Sequence, residues 1–126
     1  MKKIYYLGTC STCAAIMKET GILRHFNKLS AQDASGFEMQ DIKTEKITSK
    51  QLEEMKKMAG SYEALFSRRA LKYKELGLKD KQLTEKDYRN YILEEYTFLK
   101  RPVVIIGDKI FIGSEKKNVE ALKKAV

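Results

Sequence analysis

Two cysteines separated by two residues, Cys10 and Cys13, are the residues of this chain whose types and spacing most directly imply chemistry. They are the only cysteines in the sequence. They follow an apolar segment, Ile4 to Leu7, at the point where we expect a strand to turn into a helix. A thiol at a helix start lies beside unpaired backbone N–H groups and the positive end of the helix dipole, and both stabilise its thiolate. The spacing therefore predicts a reactive thiol pair.

Other roles for the two cysteines have weaker support. A structural zinc site needs about four Cys or His ligands, whereas the chain offers these two thiols and His25, so we predict no metal site. No charged-then-apolar signal segment precedes Ile4, and we therefore expect a cytoplasmic protein. In that compartment a CxxC beside a β-α-β pattern favours redox chemistry over a structural disulfide. Two buried, inert cysteines stay an alternative.

Length and composition indicate one ordinary globular domain. A chain of 126 residues can bury a core without staples, and no apolar run approaches the ~20 residues of a membrane span. The formal charge is +8, but the 25 basic residues are interleaved with 17 acidic ones. Such interleaving is typical of a solvated basic surface. We therefore expect no membrane association and no direct binding of nucleic acid.

The first part of the chain has a β-α-β pattern. Residues 3–8 are rich in Ile and Tyr, as in a strand buried on both faces. Apolar residues at helical spacing then predict one long helix from about Ser11 to Leu29, with Gly21 tolerated inside it. The small, polar segment 30–36 is predicted to be a loop, and the alternation from Phe37 to Ile42 predicts a second strand.

Helical signals fill the middle of the chain. Thr48 and Thr84 each stand three residues before a Gln or an Asp, as in a capping box, and each predicts a helix start. Gly60 is expected to end the first of these helices. Two short helices are predicted at about 61–66 and 69–76. The helix that begins after Thr84 is predicted to carry one apolar and aromatic face, formed by Tyr88, Ile92, Tyr96 and Leu99.

The last third returns to strands. Residues 103–106 and 109–112 are two short β-rich runs joined by Gly107-Asp108, which is a two-residue hairpin signal. Ser114 is expected to cap a final helix.

Together these elements predict an α/β fold with a β-α-β half, a β-β-α half and a helical insertion between them at about 47–99. We expect residues 1–126 to form a single domain. This chain order is that of a thioredoxin-like domain.

Arg101-Pro102, at the start of the third predicted strand, is a second candidate for chemistry. Pro102 is the only proline in the chain, and a strand start is one of the few places where a sheet tolerates proline. Its peptide bond could be cis and turn the backbone towards the cysteine loop, or it could be a simple strand-start proline. Arg101 could hold an oxyanion beside Cys10 through its forked donors, or it could be an ordinary surface arginine.

Three segments in the right order, over essentially the whole chain, resemble the ArsC/Spx/YffB family, whose members have a thioredoxin-like fold with a helical insertion. The segments are Tyr6–Cys13, Tyr73–Asp80 and Lys100–Val104. For arsenate reductases of this type, the resemblance implies that the residue matching Cys10 attacks arsenate and that three arginines bind the anion. It also implies recycling by glutathione and glutaredoxin. Arg101 matches one of those arginines, and the other two positions fall near Ser67 and at Gly113.

The resemblance includes a branch with a different role. Spx proteins carry a CxxC where this chain has Cys10 and Cys13, and they use its disulfide as a redox switch when they bind the α subunit of RNA polymerase. A redox-switched transcription regulator that catalyses nothing is therefore the alternative function.

The first function that we predict is a thiol–disulfide oxidoreductase or reductase related to the arsenate reductases. Cys10 is expected to be the nucleophile and Cys13, one helical turn on, the resolving thiol. Arg101 would supply positive charge to the thiolate or to an anionic substrate. The predicted binding residues are Thr9, Ser11, Thr12 and Pro102.

The resemblance also indicates which molecules would react with the thiol pair. Glutathione is predicted as a co-substrate, with no bound cofactor, and the reductant is predicted to be glutaredoxin, thioredoxin or glutathione. His25 is expected to stay outside the mechanism, because on the predicted helix it lies about four turns from Cys10.

Overall fold

A mixed four-stranded sheet organises the computed structural model, which describes residues 2–22 and 38–125. The strands are β1 (Lys2–Tyr6), β2 (Glu38–Asp41), β3 (Val103–Ile106) and β4 (Lys109–Ile112), in the order β2-β1-β3-β4. β1 pairs with β2 in parallel and with β3 in antiparallel orientation, and β3 pairs with β4 as an antiparallel hairpin. The helices are α1 (Ser11–Glu19), α2 (Ser49–Ala59), α3 (Leu71–Glu75), α4 (Glu85–Glu94) and α5 (Lys116–Ala125).

Strand β1 lies inside the sheet because it has a hydrogen-bonded neighbour on each side. Ile4 and Tyr5 point to opposite faces of the sheet and are only 0% and 1% exposed, so both faces are covered. This confirms the strand predicted for residues 3–8, although it begins at Lys2 and ends at Tyr6. The hairpin is also confirmed, since Gly107 has a φ of 61°, the left-handed conformation that two-residue hairpin turns require.

The two halves predicted from the sequence are present in one sheet. β1, α1 and β2 form the β-α-β half, and β3, β4 and α5 form the β-β-α half. The predicted α/β class is therefore confirmed. β2 also confirms the strand predicted from Phe37 to Ile42, although it ends at Asp41 and Phe37 lies outside the described residues.

Helix α1 is shorter than the sequence predicts. It ends at Glu19, and Gly21 beyond it has a φ of 82°, a left-handed conformation that stops a helix and that glycine adopts without strain. The buried hydroxyl of Thr20 supports this end by donating a hydrogen bond of 2.8 Å to a carbonyl of the last turn. The prediction of one uninterrupted helix from Ser11 to Leu29 is therefore wrong, because the helix ends at Glu19; residues 23–29 lie outside the described residues. The segment predicted as a loop, 30–36, lies outside the described residues.

The helices of the middle segment also differ from prediction in their extent. The segment 61–66 forms a 3₁₀ helix only at Glu63–Leu65, and the segment 69–76 contains the five-residue α3. The helix that begins after Thr84 ends at Glu94, because Glu95 is extended, with φ −136° and ψ 113°. Tyr96 and Leu99 therefore do not continue its face, and a separate 3₁₀ helix follows at Tyr96–Phe98.

The start of α5 corrects a further prediction. Ser114 does not cap this helix, which begins two residues later at Lys116. Gly113 has a φ of 86°, so the chain leaves β4 through a left-handed residue before it can enter the helix. Asn118 fixes the junction by donating a side-chain hydrogen bond of 2.9 Å to the Gly113 carbonyl.

The described chain divides into two compact units, Met1–Glu45 with Arg101–Val126, and Lys46–Lys100. The prediction of a single domain with an insertion at about 47–99 stays a prediction. The first unit contains the sheet with α1 and α5. Across the described part of the chain, none of the helices has the length and apolar character that crossing a membrane requires.

An aromatic cluster forms the centre of the unit Lys46–Lys100. Phe66 is fully buried, its ring stacks on Phe98 at a centroid distance of 5.0 Å, and Tyr88 packs against it at 4.9 Å. Both predicted capping boxes are confirmed in this unit. At α2 the Thr48 hydroxyl accepts from the Gln51 N–H, and the Gln51 side chain accepts from the Thr48 N–H, each at 3.1 Å.

Replacement of Thr48 by alanine tests the energetic weight of the α2 capping box. We expect Thr48→Ala to lower the free energy of unfolding by about 1 kcal/mol, because an N–H at the helix start loses its acceptor. The measurement is urea unfolding followed by far-UV circular dichroism, with the midpoint shifted and the slope unchanged. Ser49→Ala, at the exposed next position, is the matched control; an equal loss in both variants would contradict the capping role.

Candidate functional site

The site begins in the loop between β1 and α1. The Cys10 N–H donates to the Leu7 carbonyl at 3.0 Å, and the Cys10 carbonyl accepts from the Ala14 N–H at 3.2 Å. Cys10 is thus the N-cap residue of α1, with an extended backbone at φ −90° and ψ 113°. This position places its side chain at the end of the helix where N–H groups lack intrahelical partners.

Both thiols are free, but their environments differ. Cys10 is partly exposed, whereas Cys13, one turn along α1, is 0% exposed. The difference follows from helix geometry, since α1 turns Cys13 towards the core together with Ile16 and Met17. Cys10 is therefore the outer thiol of the pair and Cys13 the inner one.

The pKa of the Cys10 thiol lies below its ordinary value. Partial burial raises this pKa, but the backbone N–H and thiol of Cys13, the backbone N–H of Thr12 and the charge of Arg101 together lower it further than burial raises it. A group that lowers a thiol pKa stabilises the ionised sulfur, which is the nucleophilic form.

The pKa of the Cys13 thiol shifts in the opposite direction, to about 12. Burial is the largest cause, and the negative charge of the Cys10 thiolate and its hydrogen bond with Cys13 raise the pKa further. A hydrogen bond from the Leu7 backbone and the charge of Arg101 oppose the rise only in part. With Cys10 ionised, Cys13 is protonated at neutral pH and donates towards its neighbour.

Arg101 is placed near the cysteines by the antiparallel pairing of β3 with β1. Tyr5 of β1 is opposite Val103, so the start of β3 lies at the end of β1 that leads into the Cys10 loop. One guanidinium nitrogen of Arg101, Nη1, is buried and has no hydrogen-bond partner among residues 2–22 and 38–125. Its charge lowers the pKa of both thiols.

The Arg101-Pro102 peptide bond is cis, which is one of the two alternatives that the sequence leaves open. Pro102 is buried, and its carbonyl accepts a hydrogen bond of 2.9 Å from the Gly113 N–H. Pro102 thus lies directly before β3 and is tied to the end of β4.

The other predicted binding residues lie on the surface beside Cys10. Thr9, Ser11 and Thr12 are exposed, and Thr12 contributes to the site through its backbone N–H. Ser11 and Thr12 also line an open groove of about 530 Å³. Its remaining walls come from α1 and from the beginning of α5: Ala15, Ile16, Glu19, Ser114, Lys116, Val119 and Glu120.

The structure adds one residue that the sequence analysis did not name. Asp41, the last residue of β2, is opposite Tyr6 at the end of β1, and its carboxylate accepts a hydrogen bond of 3.3 Å from the Gly8 N–H. The signal in the sequence was indirect. An acidic residue at the end of a strand parallel to β1 must lie at the same edge of the sheet as the cysteine loop.

His25 lies outside the described residues. Within residues 2–22 and 38–125, no group of three or more His, Cys, Asp or Glu side chains is arranged to hold a metal ion.

Arg68, next to Ser67, donates hydrogen bonds to the Glu63 carboxylate at 2.8 Å and to the Tyr88 hydroxyl at 3.1 Å. These contacts lie inside the unit Lys46–Lys100.

Comparison with known proteins relates the chain to one family. The sequence model described as the ArsC family matches residues 5–122. No curated protein sequence matches the chain significantly.

Solved structures share the fold over nearly their whole length. An arsenate reductase from Vibrio cholerae has 17% sequence identity and a TM-score of 0.68, over 99% of this chain and 97% of that chain. An arsenate reductase (ArsC) related protein from Brucella melitensis has 20% identity and a TM-score of 0.66, over 95% and 92%. A protein from Staphylococcus aureus has 26% identity and a TM-score of 0.66, over 96% and 97%. These likenesses confirm the predicted thioredoxin-like fold.

The reactivity of Cys10 towards iodoacetamide tests the electrostatics of the site. Because the lowered pKa leaves more thiolate at neutral pH, we expect the alkylation rate to rise with pH and level off below the range of a free thiol, about 8.5. In Arg101→Gln the pKa should rise and the rate at pH 7 should fall about two- to threefold, since the opposite charge is lost.

Lys100→Gln is the matched control, because it removes an equal charge at the adjacent position and Lys100 does not contribute to the lowered pKa of Cys10. The labelled peptide is identified by mass spectrometry. An Arg101→Gln profile that coincides with that of Lys100→Gln would contradict the electrostatic role of Arg101.

Proposed function

Because the chain belongs to the ArsC family, we propose that it is a thiol-dependent oxidoreductase in which Cys10 and Cys13 reduce a disulfide substrate. The observation that carries this proposal is the opposite shift of two thiols on one helical turn. The outer thiol, Cys10, has a lowered pKa, and the inner thiol, Cys13, has a pKa of about 12. One group is prepared to attack while the other keeps its proton.

In the first step the Cys10 thiolate attacks one sulfur of the substrate disulfide. A bond forms between Cys10 Sγ and that sulfur, the substrate S–S bond breaks, and the second substrate sulfur leaves as a thiolate. The partial exposure of Cys10 allows the approach. The backbone N–H groups of Thr12 and Cys13 stabilise the negative charge of the Cys10 thiolate until the new S–S bond forms.

In the second step Cys13 resolves the mixed disulfide. Its thiol gives its proton to a departing thiolate and attacks Cys10 Sγ, so that the Cys10–Cys13 bond forms and the mixed disulfide breaks. Formation of the mixed disulfide removes the negative charge of Cys10, one of the causes that raise the pKa of Cys13. The buried thiol is therefore easier to ionise when it is needed.

Two electrons pass from the cysteine pair to the substrate, and an external thiol must return them. Two glutathione molecules, or the dithiol of glutaredoxin or thioredoxin, reduce the Cys10–Cys13 disulfide and become oxidised to a disulfide themselves. No bound cofactor takes part. These reductants fit the cytoplasmic location expected from the sequence.

The arginine positions support a disulfide substrate over arsenate. The family resemblance implies three anion-binding arginines, and only Arg101 matches one of them cleanly. The second position falls near Ser67, with Arg68 and Arg69 as neighbours, and Arg68 is engaged by Glu63 and Tyr88. At the third, Gly113 has a φ of 86°, which an arginine would adopt only with strain. We therefore infer that Arg101 stabilises the Cys10 thiolate and does not form part of a binding site for a multiply charged oxyanion.

A redox-switched regulator similar to Spx is a second candidate, because it would use the same CxxC. Binding to the C-terminal domain of the RNA polymerase α subunit, compared under oxidising and reducing conditions in a pull-down, distinguishes the two functions. Binding that changes with the oxidation state, without turnover of a disulfide substrate, would favour the regulator.

Single-cysteine variants test the assignment of nucleophile and resolving thiol. With glutathione disulfide as the probe, we expect Cys13→Ser to accumulate a stable mixed disulfide of one glutathionyl group on Cys10, because the resolving thiol is gone. Cys10→Ser should accumulate none, because Cys13 is buried and protonated. Intact-mass measurement under non-reducing conditions reads both results.

The two variants control for each other, since each removes one thiol from the same helical turn. The reduced wild-type protein should consume glutathione disulfide and become an internal disulfide without accumulating the adduct. Trapping by Cys10→Ser at the rate of Cys13→Ser would contradict the assignment.

A further inference from the structure

The carboxylate of Asp41 has both of its oxygens engaged by backbone N–H groups. Oδ2 accepts from Gly8 at 3.3 Å, and Oδ1 accepts from Lys43 at 3.0 Å. The Asp41 carbonyl accepts from the N–H of Glu45 at 2.8 Å. Asp41 is thus held firmly by its own loop, and it can act as a fixed acceptor for the loop that precedes Cys10.

Gly8 is fitted to this carboxylate. A Cβ atom at Gly8 would lie 2.5 Å from Asp41 Oδ2, so a side chain at this position would displace the carboxylate. Gly8 does not have a positive φ, so its lack of a side chain provides close approach here and not an unusual backbone conformation. The Gly8–Asp41 hydrogen bond therefore depends on the small size of Gly8.

The contact lies two residues before the reacting thiol. Gly8 is held by Asp41, and Cys10 is held by the Leu7 carbonyl through its N–H. Both hydrogen bonds fix the same short turn, which sets where α1 begins and where the Cys10 side chain points. A shift of this turn would move Cys10 away from the N–H groups of Thr12 and Cys13.

We propose that Asp41 is a positioning residue for Cys10: by holding the Gly8 N–H, its carboxylate fixes the loop Leu7–Cys10 so that the thiol stays at the start of α1. The proposal rests on the proposed function, in which Cys10 is the reacting thiol. Asp41 is not among the groups that act directly on the Cys10 thiol, and it acts through the backbone.

A positioning role and a purely electrostatic role of Asp41 predict opposite changes in the pKa of Cys10 when Asp41 is removed. A carboxylate near a thiol raises the thiol pKa by repulsion. Asp41 has this effect on the phenol of Tyr6, whose pKa is raised mainly by burial and in second place by the Asp41 charge. If Asp41 acted on Cys10 only through its charge, its removal would lower the pKa of Cys10. If it positions the loop, its removal weakens the contacts that stabilise the thiolate, and the pKa rises.

The pH profile of Cys10 alkylation in the full chain tests the proposal. We expect Asp41→Ala to raise the apparent pKa and to slow alkylation at pH 7 about fivefold, since the thiolate fraction falls tenfold for each unit of pKa. Asp41→Asn, which keeps one oxygen acceptor, should shift in the same direction by less. Glu45→Ala removes an equal charge from the same exposed loop and should match the wild type.

A double-mutant cycle checks that the effect runs through Gly8. Gly8→Ala should slow alkylation by itself, because its methyl group displaces the carboxylate. In the double variant with Asp41→Ala the two effects should be less than additive, since the clash and the hydrogen bond are the same contact. Fully additive effects would overturn the proposed route.

The outcomes separate this proposal from the proposed function. An ordinary pKa for Cys10 in the wild type overturns both. A lowered wild-type pKa that Asp41→Ala leaves unchanged, or lowers further, overturns positioning by Asp41 alone. Circular dichroism and thermal melting establish that each variant is folded, and where Asp41→Ala does not fold, Asp41→Asn decides by the same criterion.

Discussion

The first backbone N–H groups of α1 have no carbonyl partners inside the helix, and the candidate site depends on the fact that they point towards Cys10. Cys10 occupies the residue at which the helix begins, so its sulfur lies where partial positive charge is concentrated. The low pKa of this thiol requires no metal and no buried lysine. It requires that the helix begin at this residue, that the loop before it keep its shape and that the charge of Arg101 lie close by.

Three strands of the sheet hold this loop and its surroundings in place. β1 leads into the loop. β2 runs parallel to β1 and ends at Asp41, and β3 runs antiparallel to β1 and begins just after Arg101 and Pro102. The carboxyl ends of β1 and β2 and the amino end of β3 therefore meet at one edge. Residues far apart in the sequence lie close to the cysteine loop because strand direction and register bring them there.

The sequence was most informative where a short motif carries its own physics. The helix start at the CxxC, the capping boxes at Thr48 and Thr84 and the Gly107 hairpin each depend on neighbouring residues, and each was predicted. The extent of α1 was not, because Gly21 reads as a tolerated interruption until its left-handed φ is known. Asp41 was not predicted either, because its partner Gly8 is 33 positions away and only the pairing of β1 with β2 relates them.

The opposite shifts of the two thiols also couple the folding equilibrium to proton concentration. Cys10 has a lower pKa in the folded chain than in an unfolded one, where a cysteine titrates at about 8.5. Its contribution to stability is therefore present above the unfolded pKa and is lost as the pH falls through the lowered pKa. Cys13 behaves in the reverse sense, since its pKa is raised to about 12, and its contribution is present below the unfolded pKa and is lost as the pH rises towards 12. Folding thus favours the ionised form of the outer sulfur and the protonated form of the inner one.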